Sequence, residues 1–205
     1  MLFIPFLIAA VALAVTPGPG IAYVVARTVA GGRTEGLASC LGTGIGGLLH
    51  VLAAALGLSL VIAESAIAFN VLKYIGVAYL VYLGIRMLML AGRSFTVDAV
   101  TTKGARRALL DGVTVEALNV KTALFFLAFL PQFVSPSEAL VPQLVLLGSV
   151  CVMLNTLVDV AAVFAAHRLL ESGAARAARA RTMTRMSGVT MLGLAAFLAL
   201  ARREG

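Results

Sequence analysis

The chain is short of charge. Only 12% of its 205 residues are Asp, Glu, Lys or Arg, against 61% hydrophobic residues. That balance excludes a soluble domain whose apolar side chains occupy one face only. Cysteine is scarce too: Cys40 and Cys151 are the whole supply, both inside apolar runs. They read as small packing residues, which argues against a disulfide framework and against a metal site. No arginine or lysine precedes Arg27, so the basic start of a signal peptide is missing, and the run 2–26 predicts a retained helix. There is no Walker A loop, so ATP is not expected to drive any activity from within this chain. HExxH and GxSxG patterns are also missing, and neither His50 nor His167 has an obvious nucleophile partner. An intramembrane hydrolase or transferase is therefore disfavoured, and the motifs call for no cofactor.

What the chain has is apolar length. A bilayer core about 30 Å thick takes roughly 20 residues of helix. Six segments meet or approach that length: 2–26, 36–63, 66–91, 112–134, 140–166 and 184–201. They predict an all-α membrane protein, a six-transmembrane-helix bundle forming one domain over 1–205. Segment 184–201 is the weakest, with Arg185 at its start, and a five-span chain is the alternative. The short Ala63-Glu64-Ser65 junction points to an antiparallel pair. Loop 92–111, long and polar, divides the spans three and three, a layout that allows two inverted three-helix repeats. The one correspondence between halves sets Pro17–Pro19 against Asn119-Val120-Lys121, at unequal distances from the predicted helix starts.

The charges sort by side. Loops 27–35, 92–111 and 167–182, with their helix ends, hold Arg27, Arg33, Arg86, Arg93, Lys103, Arg106, Arg107, Arg168, Arg176, Arg179, Arg181 and Arg185, twelve of the sixteen basic residues. The opposite side has Lys73, Arg202 and Arg203, and Lys121 lies within a segment. Basic loops stay cytoplasmic, so both termini are expected on the outer face. The net charge of +7 resembles a nucleic-acid binder's only in total. Clustered between apolar segments, it fits anionic lipid headgroups, above all at Arg176, Arg179 and Arg181.

Two prolines and two glycines in Thr16-Pro17-Gly18-Pro19-Gly20 cannot continue an ordinary helix. At membrane depth, broken backbone survives only where it packs in protein or lines a wet cavity, and such breaks mark the sites of many secondary transporters. Thr16-Pro17 reads as a helix start, with threonine as N-cap and proline at the first position. The second half of span one would then turn a positive dipole end inward, which suits a carboxylate. At about 1.5 Å per residue from the cytoplasmic ends, the break lies roughly 10–14 Å deep, Lys121 about 13 Å and Asp159 about 10 Å. Asn155 stands one turn from Asp159 on the same face. These polar features meet in one layer, which a scaffold or assembly protein would not need.

An ionised group near the bilayer centre costs at least about 2.5–3.5 kcal/mol. Lys121 and Asp159 should therefore face inward, either as an ion pair fixing spans four and five, or as a working pair. In the second reading Asp159 takes a proton or a substrate ammonium, and Lys121 responds to it. Asn119 and Lys121 are about 200° apart on a continuous helix, so either span four unwinds or one of them faces a neighbour. Glu116, one turn before Asn119, is either a cytoplasmic gate or a solvated interface residue. In span two, Gly42, Gly46 and His50 recur every fourth residue, a pattern that allows close helix contact and permits a homodimer without requiring one. His50 is either a proton relay or a histidine hydrogen-bonded within the bundle. A divalent-cation exporter would need several clustered carboxylates or histidines, and only Glu116, His50 and Asp159 are available, at different depths.

Taken together, these residues resemble the lysine exporter superfamily, in particular its homoserine/threonine resistance branch. The resemblance rests on Thr16-Pro17-Gly18-Pro19, on the glycine-rich span two ending in His50, and on residues 119–133, from Asn119-Val120-Lys121 to Leu130-Pro131-Gln132-Phe133. It covers essentially the whole chain. The chain departs from the family at Val120, where proline is usual; valine restores a backbone donor and removes the ring clash, which weakens the case for a break in span four. Asp159 matches an acidic residue that family members tend to carry. The resemblance implies export of amino acids or close derivatives across a bacterial plasma membrane by proton antiport. Neutral substrates such as homoserine, threonine or leucine rank ahead of lysine. With the residue chemistry above, the expected substrate site is Thr16, Pro17, Gly18, Pro19, Asn119, Lys121 and Asn155, and the expected proton-coupling residues are Asp159, Glu116 and His50.

Overall fold

Pro17 and Pro19 offer no N–H to the carbonyls of Leu13 and Val15, so the opening helical ladder stops there. In the computed structural model, which describes residues 3–58, 66–90, 101–135, 137–169 and 173–200, helix α1 (Phe3–Val15) ends at this point and α2 (Pro19–Ala53) begins beyond it. The predicted cap is corrected. Thr16 closes α1 instead of opening α2: its hydroxyl donates to Ala12 O at 2.6 Å and its N–H to Leu13 O at 3.2 Å. A threonine within reach of its own preceding turn back-bonds to it. Gly18, extended at φ −144° and ψ −173°, becomes the N-cap, and Pro19 takes the first helical position.

The expected loop 27–35 is also corrected. Helix α2 runs through it and reverses at Gly31–Gly32, where Gly32 adopts φ +69° and ψ −166°, a conformation that favours glycine. Its two arms, 19–30 and 33–53, lie antiparallel. Val24 packs with Cys40 and Val163, and Arg27 Nη1 meets Glu35 Oε2 at 3.4 Å. Beyond the arms come a π-helical turn (Ala54–Leu58), α3 (Ala66–Leu90), α4 (Ala105–Ala117), α5 (Val120–Leu124), α6 (Leu140–Leu169) and α7 (Gly173–Leu200). Helix α5 continues through a π-helical turn (Phe125–Phe129) and a 3-10 turn (Leu130–Phe133). Helix α4 thus starts well before residue 112, and most of the expected basic loop 167–182 is helical backbone. The Ala63-Glu64-Ser65 junction, residues 91–100 and the side chains of His167, Arg176, Arg179 and Arg181 lie outside the described residues.

Glu35 fastens the hairpin to α4. Its Oε1 accepts the backbone N–H groups of Lys103 (2.9 Å) and Gly104 (2.8 Å), just ahead of Ala105. A carboxylate at a helix start satisfies orphan donors and meets the positive dipole end. Arg27 also donates to Thr101 O at 3.2 Å.

The glycines of span two serve packing within the chain. A Cβ on Gly42 would strike the Leu109 carbonyl of α4, and one on Gly46 would lie 2.7 Å from Val113 O. Gly44 and Gly47 face Thr156 and Val152 of α6. Gly84 of α3 and Gly188 of α7 meet in the same way, each 2.9–3.0 Å from the other's carbonyl as an added Cβ would be placed. Gly42→Ala should therefore cost about 1–3 kcal/mol through overpacking. Gly193→Ala is the control, since nothing lies within 4 Å of its added Cβ. Melting of the two purified variants in detergent tests this: Gly42→Ala should melt well below wild type and Gly193→Ala beside it.

Phe6, Phe125, Phe129, Phe133, Leu130, Leu144, Leu147 and Met191 form the core. Outside it the surface stays apolar, with Ile4, Ile8, Leu56, Ile67, Met89 and Leu200 each at least 68% exposed. An apolar exterior on a packed bundle is what lipid demands. Among the described residues, Leu140–Ala166 and the stretch Pro19–Gly57, which folds back on itself at Gly31–Gly32, are by length and composition long and apolar enough to cross a membrane. Ala105–Ala117 with Val120–Phe133, bent by 43°, makes a third. The protein is an all-helical membrane protein.

Candidate functional site

Span four breaks although Val120 replaces proline. Helix α4 ends at Ala117, Leu118 and Asn119 leave the helix, and Asn119 (φ −76°, ψ 98°) caps α5 by accepting the Lys121 N–H on its Oδ1 at 3.1 Å. An asparagine N-cap is sufficient to restart a helix without a proline behind it. The unwinding also resolves the angular conflict: Asn119 and Lys121 both face one cavity.

The cavity lies where the two breaks meet. Thr16, Thr43, Glu116, Asn119, Lys121, Thr122, Asn155, Thr156 and Asp159 line its polar part, and Ala14, Ile21, Phe126 and Val152 its apolar part. Its volume is about 30 Å³, room for roughly two waters. Pro17, Gly18 and Pro19 form the break without lining the cavity, and His50 lies behind its wall, against Glu116 and the Phe126 ring.

Glu116 is buried in this wall and is not a solvated interface group. Its Oε2 accepts from Asn119 Nδ2 at 3.1 Å and its Oε1 from Thr122 Oγ1 at 2.6 Å. Its backbone carbonyl accepts from the Asn119 N–H at 2.9 Å and lies 2.8 Å from His50 Nε2. A carbonyl only accepts, so His50 carries its proton on Nε2. Thr43 Oγ1 donates to Asp159 Oδ2 at 3.0 Å, and Asn155 Nδ2 donates to Cys151 O at 2.9 Å.

The expected Lys121–Asp159 pair does not form. Lys121 Nζ instead donates to Thr16 O at 3.0 Å and Leu13 O at 3.4 Å. Leu13 O also accepts from the Thr16 N–H at 3.2 Å, and the ammonium adds a further donor to the carbonyl end of α1. In the structure the carbonyl end of the break in span one holds the Lys121 ammonium.

Thr43, Thr122 and Glu35 went unnoticed in the sequence. Hydroxyls in membrane helices usually bond their own preceding turn, so nothing marks those that reach across. Glu35 carried a faint signal, as the one acid in the first 60 residues. Among the described residues no three His, Cys, Asp or Glu side chains stand close enough to hold a metal ion.

Residues 11–202 match the family described as LysE type translocator. An uncharacterised membrane protein of Vibrio cholerae is 30% identical over 157 residues, 76% of each chain. The homoserine/homoserine lactone efflux protein of Salmonella typhi is 29% identical over 75% of this chain and 74% of its own. The leucine efflux protein of Klebsiella pneumoniae is 31% identical over 64% and 63%. No solved structure matches the chain with significance. A match that runs almost from end to end, over both broken spans and the residues around their cavity, places this chain in the LysE type translocator family, whose members are transporters and not enzymes.

Proposed function

We propose that this chain is a secondary active exporter of neutral amino acids or close derivatives, of the homoserine, threonine or leucine kind, driven by proton antiport. The observation that carries the reading is the buried cavity where two discontinuous spans meet, with one base and two acids in its wall. A zwitterion needs both signs of charge. Lys121 takes the carboxylate, with Asn119, Asn155 and the Thr16–Pro19 break shaping the rest of the substrate site. The apolar wall of Ile21, Phe126 and Val152 suits a short neutral side chain, and a lysine side chain would bring a further charge there. Asp159 exchanges the coupling proton. Glu116, with His50 behind it, joins the proton-coupling group to the end of α4. The efflux proteins among the relatives support both the direction and the substrate class.

The architecture belongs to the same reading: one domain, six spans, both termini outside, and the arginine-rich cytoplasmic ends on anionic lipid. The two halves support an inverted repeat. Helix α1 and helix α4 each run 13 residues before their break. Each is then followed by a further helical stretch, a turn, and two long helices.

Proteoliposome counterflow tests this function. Labelled homoserine, threonine and leucine should exchange, lysine should not, and a pH gradient acidic on the outer face should accelerate efflux. Failure to exchange any neutral amino acid would refute the reading.

A further inference from the structure

In an unbroken helix Leu13 O would accept from residue 17 and Val15 O from residue 19; both are proline and have no N–H. The extended backbone at Gly18 removes Thr16 O from the ladder as well, while Leu13 O keeps one backbone donor, the Thr16 N–H at 3.2 Å. These carbonyls form the negative end of α1, where a cation is favoured. Lys121 Nζ sits against two of them, at 3.0 and 3.4 Å. A Cβ on Gly18 would lie 3.0 Å from the same nitrogen, so backbone encloses the ammonium closely.

Among the described residues no carboxylate pairs with Lys121, although Glu116 and Asp159 line the same cavity. Its ammonium rests on neutral carbonyls. The cavity holds about two waters and no amino acid, so a side chain must leave when a substrate enters. Lys121 has a flexible four-carbon stem and stands just past the break in span four, on the short helix α5. It is the side chain best placed to move.

We propose that the carbonyl end of α1, at Leu13 and Thr16, is the carrier's subsite for the primary ammonium of its substrate, and that Lys121 occupies it in the empty carrier. On binding, the substrate's ammonium takes the carbonyls and Lys121 turns to the substrate's carboxylate, its first charged partner. The identity of the substrate rests on the reading above. The subsite is defined by its chemistry alone: it takes a primary ammonium and rejects a cation without N–H groups.

The test fills the subsite from solution. Purified Lys121→Ala lacks three carbons and the nitrogen, which propylammonium replaces. Titration with propylammonium chloride should raise its melting temperature saturably by several degrees. Tetramethylammonium should not, and wild type should show no such rise with either salt. Absence of a saturable rise, or an equal rise in wild type, overturns the proposal. Should Lys121→Ala fail to fold, Lys121→Met keeps the stem and lacks only the ammonium; ammonium chloride should then stabilise it, or permit its purification. If neither variant folds even with its amine present, the lysine is a structural clamp and the proposal falls. The outcomes separate cleanly: a propylammonium shift without amino-acid counterflow removes the function proposed above and leaves the subsite. Counterflow without the shift removes the subsite alone.

Discussion

Asp159→Asn should abolish proton-driven efflux. Cells producing the variant are expected to lose their tolerance of excess neutral amino acid, while the protein accumulates in the membrane as wild type does. Asparagine keeps the acceptor for Thr43 Oγ1, now 3.0 Å from Asp159 Oδ2, so the fold is retained and the exchangeable proton is lost. With no proton to exchange, the gradient-driven rate should fall to the rate measured without a gradient. Counterflow without a pH gradient should survive, because it requires no net proton movement. The decisive measurement is the ratio of the two rates in proteoliposomes. If Asp159→Asn still responds to a pH gradient, the coupling group lies elsewhere, and Glu116 becomes the next candidate.

Glu35→Ala should damage the fold more than any single change at the cavity. Arg27 and Glu35 are 2% and 4% exposed, and Glu35 also holds the start of α4 through two backbone N–H groups. Removing one partner of a buried pair costs about 3–5 kcal/mol, because the other charge is left buried alone. Arg27 has no slack to absorb the loss, since its Nε already lacks a hydrogen-bond partner. Against a typical stability of about 5–15 kcal/mol, that is enough to empty the membrane of folded protein. Glu35→Gln keeps an acceptor for the Lys103 and Gly104 N–H groups and should lose clearly less. Detergent-extracted yield and melting temperature check the order: wild type, then Gln, then Ala. A Glu35→Ala protein that melts with wild type would show that the contact contributes nothing.

Much of the site is legible in the sequence. The break in span one follows from prolines that cannot donate, and the inward placement of Lys121 and Asp159 follows from the cost of charge in lipid. The errors have physical causes. Thr16 was read as a cap because threonine caps helices, but in the last turn of α1 its hydroxyl found Ala12 O first. Val120 argues against a break in span four, but the break rests on Asn119, whose side chain makes the cap without a proline. The two breaks lie at unequal distances from the predicted helix starts because α4 begins at Ala105, where the charged Ala105-Arg106-Arg107 turn carries no apolar signal.

Composition and spacing alone settled that the chain is helical and membrane-bound, where its first span breaks, and which polar side chains turn away from lipid. Those outcomes depend on local backbone chemistry and on solvation, both of which act residue by residue. Partnership was decided by the fold. Lys121 rests on α1 and not on Asp159, Glu35 holds α4, and Thr43 serves Asp159, because each bond joins residues more than 60 positions apart. Which donor meets which buried acceptor depends on how broken helices pack together, and one-dimensional spacing carries no record of that.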